Sequence, residues 1–460
     1  MSPPPPHLEN LPLELLTRIG EALPWDSRLA LASTTSNLRS SLAPFIFNSV
    51  KITSNTQGGQ DLERLADKYG SFTTRLHFVA SMPNGTPSDV LAPAGNGVPD
   101  QDDPSSRDGA DTSSATQRYI TDLAHNVLTG KLLPNVTTLC LSFDFDFDTN
   151  GEEQDGNVWD DSNWITDDST SIYVFTDAEA ADDVKTKEAK YPWRALMAQT
   201  WSALCQNNSI TKLIVHDLIP RKTTTFDSDD WRDFLGRLDT LELRMWGGDN
   251  GAGWEVNTLE GYMAYEARLG EYFFRHLNQV QKLLFVAYSR SPFGATEEGE
   301  GDDVEHDVAF PLLKEYLPRL RSLEVHNIFV SKRLADFVLG KSETLHEVRL
   351  HDCHASTYDE EKISWATFFT YLDRNKCQLR KLHVTYEQGD AATIDKGSRP
   401  KKENEEDRVF SYGILDDKYG FFMADDEQIC EKYEERRDLD AYRKLMELVS
   451  SNVKDVARGC

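Results

Sequence analysis

The chain has 460 residues, 39% of them hydrophobic and 10% aromatic, so it can bury a large core and is not intrinsically disordered. Its 49 basic and 77 acidic residues give a net charge of -28, which repels nucleic acids and anionic membranes and favours neutral or basic protein partners. No apolar run reaches the roughly 18 residues of a membrane helix, and the N-terminus lacks the features of a signal peptide. We therefore expect an intracellular protein of the cytoplasm, the nucleus or both.

Residues 8–50 contain two short amphipathic helical patterns. In the first, apolar residues recur every four positions, at Leu11, Leu15, Ile19 and Leu23, with Leu16 beside them. Pro12 fits the first helical turn, where its missing N–H is no loss, and Glu14 places a negative charge near the positive end of the helix dipole. The second pattern consists of Leu29, Leu31, Leu38 and Leu42. Pro44 stops it, and the apolar run that follows is typical of a strand.

This N-terminal segment is too small to form a stable core of its own, so we expect its continuous apolar face to be covered. A partner protein is the simplest cover. The alternative is an ordinary helical hairpin that packs on its own domain.

The order and spacing of these residues resemble the F-box that opens many ascomycete fungal proteins. The motif positions in this sequence are Leu11, Pro12, Glu14, Leu15, Leu16, Ile19, Leu23, Leu31 and Leu38. The resemblance implies that these residues bind a Skp-type adaptor and, through it, a cullin of a cullin-RING ubiquitin ligase. One position departs from the family pattern, because Arg28, with Leu29 next to it, stands where the second helix usually begins with a leucine.

From about residue 60 onward, one short pattern returns eight times. It consists of an apolar residue, two variable residues, Leu or Val, one variable residue and another apolar residue. The central positions of the eight copies are Leu76, Leu139, Leu213, Leu241, Leu283, Leu323, Val348 and Leu382. Helical patterns separate the copies, at residues 117–128, 192–205, 231–238, 259–277, 312–317, 334–339 and 365–372.

This alternation of helix and strand predicts an α/β fold and resembles an irregular leucine-rich-repeat solenoid; an ordinary α/β sandwich is the alternative. We expect three regions, an all-α F-box module at 8–50, a repeat-like domain at 60–424 and a charged C-terminal helix or cap at 425–460. Polar and acidic composition predicts insertions without regular structure in the repeat-like domain, near residues 83–116, 144–183, 291–307 and 387–408.

Metal-binding patterns are incomplete in this sequence. His351, Cys353 and His354 lie close together, with Cys377 and His383 in the next repeat, but the repeat pattern allows at most one or two of them to converge. The opening half of a calcium loop stands at residues 146–151, yet Asn occupies the position of the required bidentate Glu, which favours an acidic surface loop over a weak divalent-ion site. We therefore predict no metal site.

Catalytic motifs give no support for an enzyme. A nucleophile elbow, a phosphate-binding loop, a dinucleotide fingerprint and a zinc-protease motif are all missing from the sequence. The 77 carboxylates make close pairs expected by chance, so they do not indicate general acid and base groups. We predict no catalytic residue and no cofactor.

Recognition of a partner is then the expected role of the repeat-like domain. The variable residues between the apolar strand positions should face a concave surface, and the full set is His77, Cys140, Ile214, Glu242, Leu284, Glu324, Arg349 and His383. From this set we predict that Arg349, Glu324, Glu242, His383 and Leu284 face a target protein.

The leading hypothesis is a substrate receptor of an SCF-type ubiquitin ligase, which positions an unidentified target protein and performs no chemistry itself. The second is an F-box scaffold that binds the adaptor and a partner without ubiquitin transfer. A third, a hydrolase that uses the acid-rich loops, requires perturbed carboxylates that converge in a pocket.

Overall fold

The computed structural model describes residues 8, 11–58, 60–81, 118–144, 179–248, 255, 257, 259–288, 290–294, 309–356, 363–386, 409–416 and 420–459. The chain divides into two units, Met1–Asp146 with Pro192–Ile214 and Phe147–Tyr191 with Val215–Cys460. Helices and strands alternate in both units, so the predicted α/β class is confirmed.

Short helices and strands follow one another along the whole described chain. The first half contains α1 (Leu13–Ala22), α2 (Trp25–Thr34), α3 (Ser36–Ile46), β1 (Ser49–Thr53), α4 (Gln60–Tyr69), β2 (Arg75–Ser81), α5 (Asp122–Leu128), β3 (Thr138–Asp144), α6 (Ala181–Lys190), α7 (Pro192–Cys205) and β4 (Lys212–Leu218). The second half contains α8 (Asp229–Gly236), β5 (Thr240–Met245), α9 (Glu260–Ala267), α10 (Leu269–Tyr272), β6 (Lys282–Val286), β7 (Ser322–His326), α11 (Lys332–Gly340), β8 (Glu347–His351), β9 (His354–Ser356), α12 (Trp365–Arg374), β10 (Lys381–Thr385), β11 (Ser411–Leu415), β12 (Phe422–Ala424), α13 (Asp426–Glu435) and α14 (Arg437–Gly459). Among the described helices, none has both the length and the apolar content needed to cross a bilayer.

Three helices at the N-terminus pack together in the first unit. Their buried apolar side chains are Leu16, Ala32, Leu38, Leu42, Ala43 and Ile46. Gly20 lets α1 approach α3 closely, because a Cβ at this position would lie 3.0 Å from the side chains of Leu42 and Phe45. The close contact between α1 and α3 therefore depends on a residue without a side chain.

The second N-terminal pattern forms two helices rather than one. The hydroxyl of Thr35 accepts a hydrogen bond of 3.2 Å from the backbone N–H of Leu38, so Thr35 caps a new helix, α3. The prediction that Pro44 stops the helix is wrong, because α3 continues to Ile46. A proline in the last turn removes one backbone donor but does not prevent the preceding residues from being helical.

All eight predicted strand cores, and the strand predicted after the N-terminal helices, lie in one nine-stranded sheet. The strand order is β1, β2, β3, β4, β5, β6, β7, β8 and β10. The strands therefore stand side by side in the order in which they occur along the chain, and β9 is skipped because it belongs to another sheet. Every neighbouring pair with a described register is parallel. Helices connect most of these strands, as parallel pairing requires.

The central apolar positions of the repeated pattern form one row across the sheet in the second unit. Leu241 pairs with Leu283, which pairs with Leu323. The row continues to Val348 and Leu382, and all five side chains are buried. The apolar positions two residues later form a second buried row, Leu243, Phe285, Val325, Leu350 and Val384. These two rows form the core of the strands in this unit.

A small second sheet and the C-terminal helices complete the second unit. The order of this sheet is β12, β11 and β9, with β11 parallel to β9 and antiparallel to β12. The predicted C-terminal helical pattern forms α14, which packs on α12 and β10. The carboxylate of Asp438 accepts hydrogen bonds from the Tyr412 hydroxyl at 2.9 Å and from the Ala366 N–H at 2.7 Å, and so joins α14 to β11 and to the start of α12.

Several predicted boundaries differ from the structure. No helix forms at 312–317, because prolines flank only six residues and Leu317 has a positive φ of 53°. The pattern at 259–277 is divided into α9, α10 and a short 3₁₀ helix, Phe274–His276. The pattern at 117–128 becomes helical only after Thr121, whose hydroxyl caps α5.

The predicted insertions fall largely on residues outside the described part of the chain. Those at 83–116 and 387–408 lie wholly outside it, as does the calcium-like segment at 146–151. The insertions predicted near 144–183 and 291–307 are described only at their ends, and regular structure extends into both of them there. Helix α6 begins at Ala181, and Phe293 is buried and bridges to Ile328.

Leu283 and Leu284 are neighbours on β6 that face opposite sides of the sheet, since Leu283 is buried and Leu284 is half-buried. We expect Leu283→Ala to lower the free energy of unfolding by about 2–5 kcal/mol, because it leaves a cavity in the buried row. Leu284→Ala should lower it by about 1 kcal/mol or less. Urea denaturation of the two variants measures the difference, and equal losses would contradict the assignment of the two faces.

Candidate functional site

Two surfaces of the described residues carry the side chains that the sequence singled out. One lies on the three N-terminal helices of the first unit. The other is the solvent-facing side of strands β5, β6, β7, β8 and β10 in the second unit.

The nine residues predicted to bind the adaptor occupy three environments. Pro12, Glu14 and Leu15 are exposed. Half-buried positions are Leu11, Ile19, Leu23 and Leu31. Leu16 and Leu38 are buried and help hold the helices together. The last two side chains therefore support the surface and do not form part of it.

Exposed apolar side chains are concentrated on these helices. Among the described residues, nine large hydrophobic side chains are exposed, and five of them fall within residues 8–29. We call these five together the N-terminal apolar surface, which consists of Leu8, Leu13, Leu15, Trp25 and Leu29; Leu13 and Leu15 lie on different sides of α1 because they are two residues apart on a helix. Leu13 has 62% of its surface exposed, and Leu15 has 45%. Such a concentration of apolar surface marks a candidate interaction site.

Most of the N-terminal apolar surface lies outside the predicted motif. Leu13 is off the four-residue period, and Trp25 follows a proline that separates two helices, so neither belongs to one amphipathic stripe. Only the packing of α1 and α2 against α3 shows which of their apolar side chains remain exposed. A hydrophobic period locates the buried stripe of a helix and gives no direct signal for exposed apolar residues beside it.

The five residues predicted to face a target lie in a single row across the sheet. Glu242 pairs with Leu284, Leu284 with Glu324, Glu324 with Arg349, and Arg349 with His383. Arg349 and His383 are exposed, and the other three side chains are half-buried. We call this row the polar strand face. It lies opposite the buried leucine row because successive residues of a strand point to opposite faces.

Three further residues of the predicted concave set belong to the first unit or to its boundary strand. His77 is half-buried on β2, and its pairing partner Cys140 on β3 is buried. Ile214 on β4 is also buried. The expectation that Cys140 and Ile214 face solvent is therefore wrong. Both stand between buried neighbours on their strands, so both faces of β3 and β4 are covered there.

Glu324 is the centre of the charge pattern on the polar strand face. Its Oε1 atom lies 2.9 Å from Nε2 of His326 and 3.7 Å from Nε2 of His351. Its Oε2 atom lies 3.6 Å from Nη1 of Arg349. Arg349 is held more closely by Glu347, since Nη2 donates to Oε1 of Glu347 at 2.8 Å. A single carboxylate thus faces three cationic or potentially cationic side chains.

The pKa values of these groups follow from this arrangement. Partial burial favours the neutral form of Glu347, but the hydrogen bonds from Arg349 outweigh it and lower the pKa of Glu347. The same bonds raise the pKa of Arg349. Partial burial and then repulsion from His326 lower the pKa of His351. The two imidazole rings are close neighbours, with centroids 4.4 Å apart and ring planes tilted by 34°.

The histidines and cysteines considered as metal ligands from sequence point into separate surroundings. The thiol of Cys353 donates to the backbone oxygens of Val325 and His351, and burial raises its pKa to about 12. Burial lowers the pKa of His354 to about 3, and its ring nitrogens bond Ser411 and Asn327 at 2.8 and 3.1 Å. Cys353 follows the end of β8, and its bond to the oxygen of His351 supports the turn there.

A different set of donor atoms does converge. The carboxylate of Glu324 and one ring nitrogen each of His326 and His351 all lie within 4.8 Å of one another. Sequence reasoning missed Glu324 and His326 as partners of His351. An alignment of the repeat copies could have found them, because matching Leu323 to Val348 also matches His326 to His351.

The buried carboxyl of Glu266 is the strongest sign of acid chemistry in the described residues. It lies in the last turn of α9, and burial raises its pKa well above the usual range. Burial also raises the pKa of its helix neighbours Tyr262 and Tyr265. Because burial and not a charged neighbour shifts Glu266, we assign this carboxyl to the core.

Comparison with models of known protein families finds no match to this chain, and a search of curated proteins finds no matching relative. The N-terminal apolar surface and the polar strand face are therefore the basis for a functional proposal.

The titration of Glu266 predicts a pH dependence of stability. A carboxyl whose pKa is higher in the folded than in the unfolded chain stabilises the fold below the unfolded value, about 4.3, and this contribution is lost as pH rises through the folded value. Glu266→Gln preserves size and cannot ionise. We expect the stability of the variant relative to wild type to rise between about pH 5 and about pH 8 in urea denaturation. Parallel pH curves would contradict the assignment.

Proposed function

We propose that this protein is a substrate-recognition subunit of an SCF-type cullin-RING ubiquitin ligase. In this proposal, residues 8–50 act as an F-box that binds a Skp-type adaptor, and the repeat-like domain binds a target protein. The observation that carries the proposal is the N-terminal apolar surface, where five of the nine exposed large hydrophobic side chains of the described residues occur. The protein performs no chemistry of its own and works in the cytoplasm or the nucleus.

The size of the N-terminal apolar surface supports a protein partner. Burying a fully exposed leucine-sized side chain contributes about 1.5–3 kcal/mol, and these five side chains are 39–62% exposed, so their gross gain is of the order of 5 kcal/mol. Association and ordering costs are subtracted from this gain. Contacts beyond these five side chains, such as those of the half-buried Leu11, Ile19 and Leu23, must therefore add to the binding free energy.

The motif residues divide into two roles within this proposal. Leu15 and the half-buried Leu11, Ile19 and Leu23 contact the adaptor, together with the exposed members of the apolar surface. Leu16 fixes the position of α1 from inside the module. Pro12 precedes α1 with an extended backbone, and Glu14 lies in its first turn, where a negative charge is favourable.

The repeat-like domain supports the second half of the proposal. Its strands follow one another in one sheet with helices between most of them, an arrangement that resembles an irregular leucine-rich-repeat solenoid. The polar strand face places an arginine, two carboxylates, a histidine and a leucine in one row. Arginine is over-represented among residues that dominate binding energy, so we assign Arg349 as the main contact with the target.

Binding to the adaptor is tested with two leucines of equal exposure. Leu15 is 45% exposed in the F-box region, and Leu65 on α4 is 44% exposed outside it. We expect Leu15→Asp, like Ile19→Asp, to abolish co-purification with the adaptor and the cullin, because a charge enters an apolar interface. Leu65→Asp should leave recovery unchanged. Quantitative mass spectrometry of the purified complexes measures recovery, and circular dichroism checks that each variant is folded.

Three outcomes of that experiment decide between the functions. Loss of adaptor and cullin with Leu15→Asp alone supports the receptor. Recovery of adaptor without cullin from wild type indicates the alternative, a scaffold that does not promote ubiquitin transfer. If wild type recovers neither, or if folded Leu15→Asp recovers both, the N-terminal module is not an F-box.

Binding to the target is tested on the polar strand face. Arg349→Glu reverses an exposed charge, so its effect on stability should stay within about 1 kcal/mol. We expect this variant to recover adaptor and cullin as wild type does and to lose target proteins that accumulate on wild type under proteasome inhibition. Arg232→Glu is a control of the same type, because Arg232 is 48% exposed and pairs with Asp229 at 2.7 Å but lies on α8 and not on the polar strand face. Unchanged target recovery with Arg349→Glu would contradict the role of this residue.

A further inference from the structure

Glu324, His326 and His351 form a compact set of donor side chains on the solvent-facing side of the sheet. Glu324 and His326 are two residues apart on β7, so both side chains point to the same face. His351 on β8 is the register partner of His326. The donor atoms of the three side chains all lie within 4.8 Å of one another.

The separations of the donor atoms fit one metal ion. In tetrahedral zinc sites the ligand atoms lie about 2.0–2.2 Å from the metal, which puts neighbouring ligand atoms about 3.3 Å apart. Oε1 of Glu324 lies 2.9 Å from Nε2 of His326 and 3.7 Å from Nε2 of His351. These two distances bracket the tetrahedral value, and the two imidazole nitrogens lie within 4.8 Å of each other, so side-chain rotations would place all three atoms around one ion.

Thr385 holds His351 in the orientation that such a site needs. Its hydroxyl on β10 is hydrogen-bonded to Nδ1 of His351, which is the nitrogen that points away from Glu324. When Nδ1–H donates to this hydroxyl, the lone pair of Nε2 is free to bind a metal. Histidines that ligate metals usually donate their other ring N–H to a carboxylate, a backbone carbonyl or a water, and the Thr385 hydroxyl is an acceptor that can take the same role here.

The exposure of the three side chains and the charges around them allow a cation to bind there. The side chains of Glu324, His326 and His351 are 27%, 28% and 26% exposed, so an ion can enter and one coordination position stays open to water. Arg349 also contacts Glu324, but Glu347 holds its guanidinium by a shorter contact than Glu324 does. The net charge of -28 also attracts cations to the protein.

We propose that Glu324, His326 and His351 bind one divalent transition-metal ion of the zinc type, with Thr385 as a positioning residue. Two imidazoles and one carboxylate form a ligand set that occurs in zinc and in non-haem iron sites, whereas magnesium and calcium are bound by oxygen ligands. This site would place a metal ion within the polar strand face. It does not depend on the proposed role in a ubiquitin ligase.

Calorimetric titration of the full chain with zinc chloride in metal-free buffer tests the site. We expect one equivalent of zinc to bind wild type. His326→Ala and His351→Ala should each weaken binding by at least about 10-fold, and Thr385→Val by about 10- to 100-fold. His216→Ala is the matched control, since His216 is also half-buried but lies on β4, three strands from β7 in the sheet, and should bind zinc as wild type does.

Glu324→Gln keeps the size of the side chain and removes its charge, so it tests the site with the least disturbance of the fold. We expect zinc to raise the melting temperature of wild type and of His216→Ala, and to raise that of Glu324→Gln much less. No binding to wild type, or equal binding to wild type and all site variants, would overturn the proposal. In that case Glu324 is linked to His326 by a hydrogen bond and to His351 only by a longer polar contact.

Discussion

The alternation of side chains along parallel strands, held in one register, is the constraint on which the rest of the second unit depends. The row from Leu241 to Leu382 is buried as a unit, and that burial determines which residues face solvent. A slip of one residue in any strand would bury a charged side chain and expose a leucine. The polar strand face and the donor set around Glu324 are therefore consequences of the same register.

The two surfaces differ in their chemistry in a way that suits two different partners. The N-terminal apolar surface consists of leucines and a tryptophan on short helices, where association gains mainly from burial. The polar strand face carries paired charges on a rigid sheet, where complementary charge gives specificity more than affinity. Because its ion pairs are partly exposed, they contribute little to stability, and substitutions there can be made without unfolding the protein.

Local patterns predicted the strands well, because a row of apolar residues at period two is encoded within each strand. They could not predict the three-stranded sheet, whose strand β9 has only three residues and pairs with a segment 57 positions later. They also placed Cys140 and Ile214 on an open face, since one strand pattern does not reveal what covers its second side. The donor set around Glu324 was detectable only by aligning two repeat copies.

Disulfide formation between introduced cysteines measures the register directly. Cysteines that are direct partners on neighbouring strands lie within the distance that a disulfide spans, about 4.4–6.8 Å between Cα atoms. We predict that Glu324→Cys with Arg349→Cys cross-links under mild oxidation, because these residues are partners on the solvent-facing side. The slipped pair, Glu324→Cys with Val348→Cys, should not, because Val348 points into the core. Cross-linking of the slipped pair in preference to the direct pair would contradict the register and both proposals for the polar strand face.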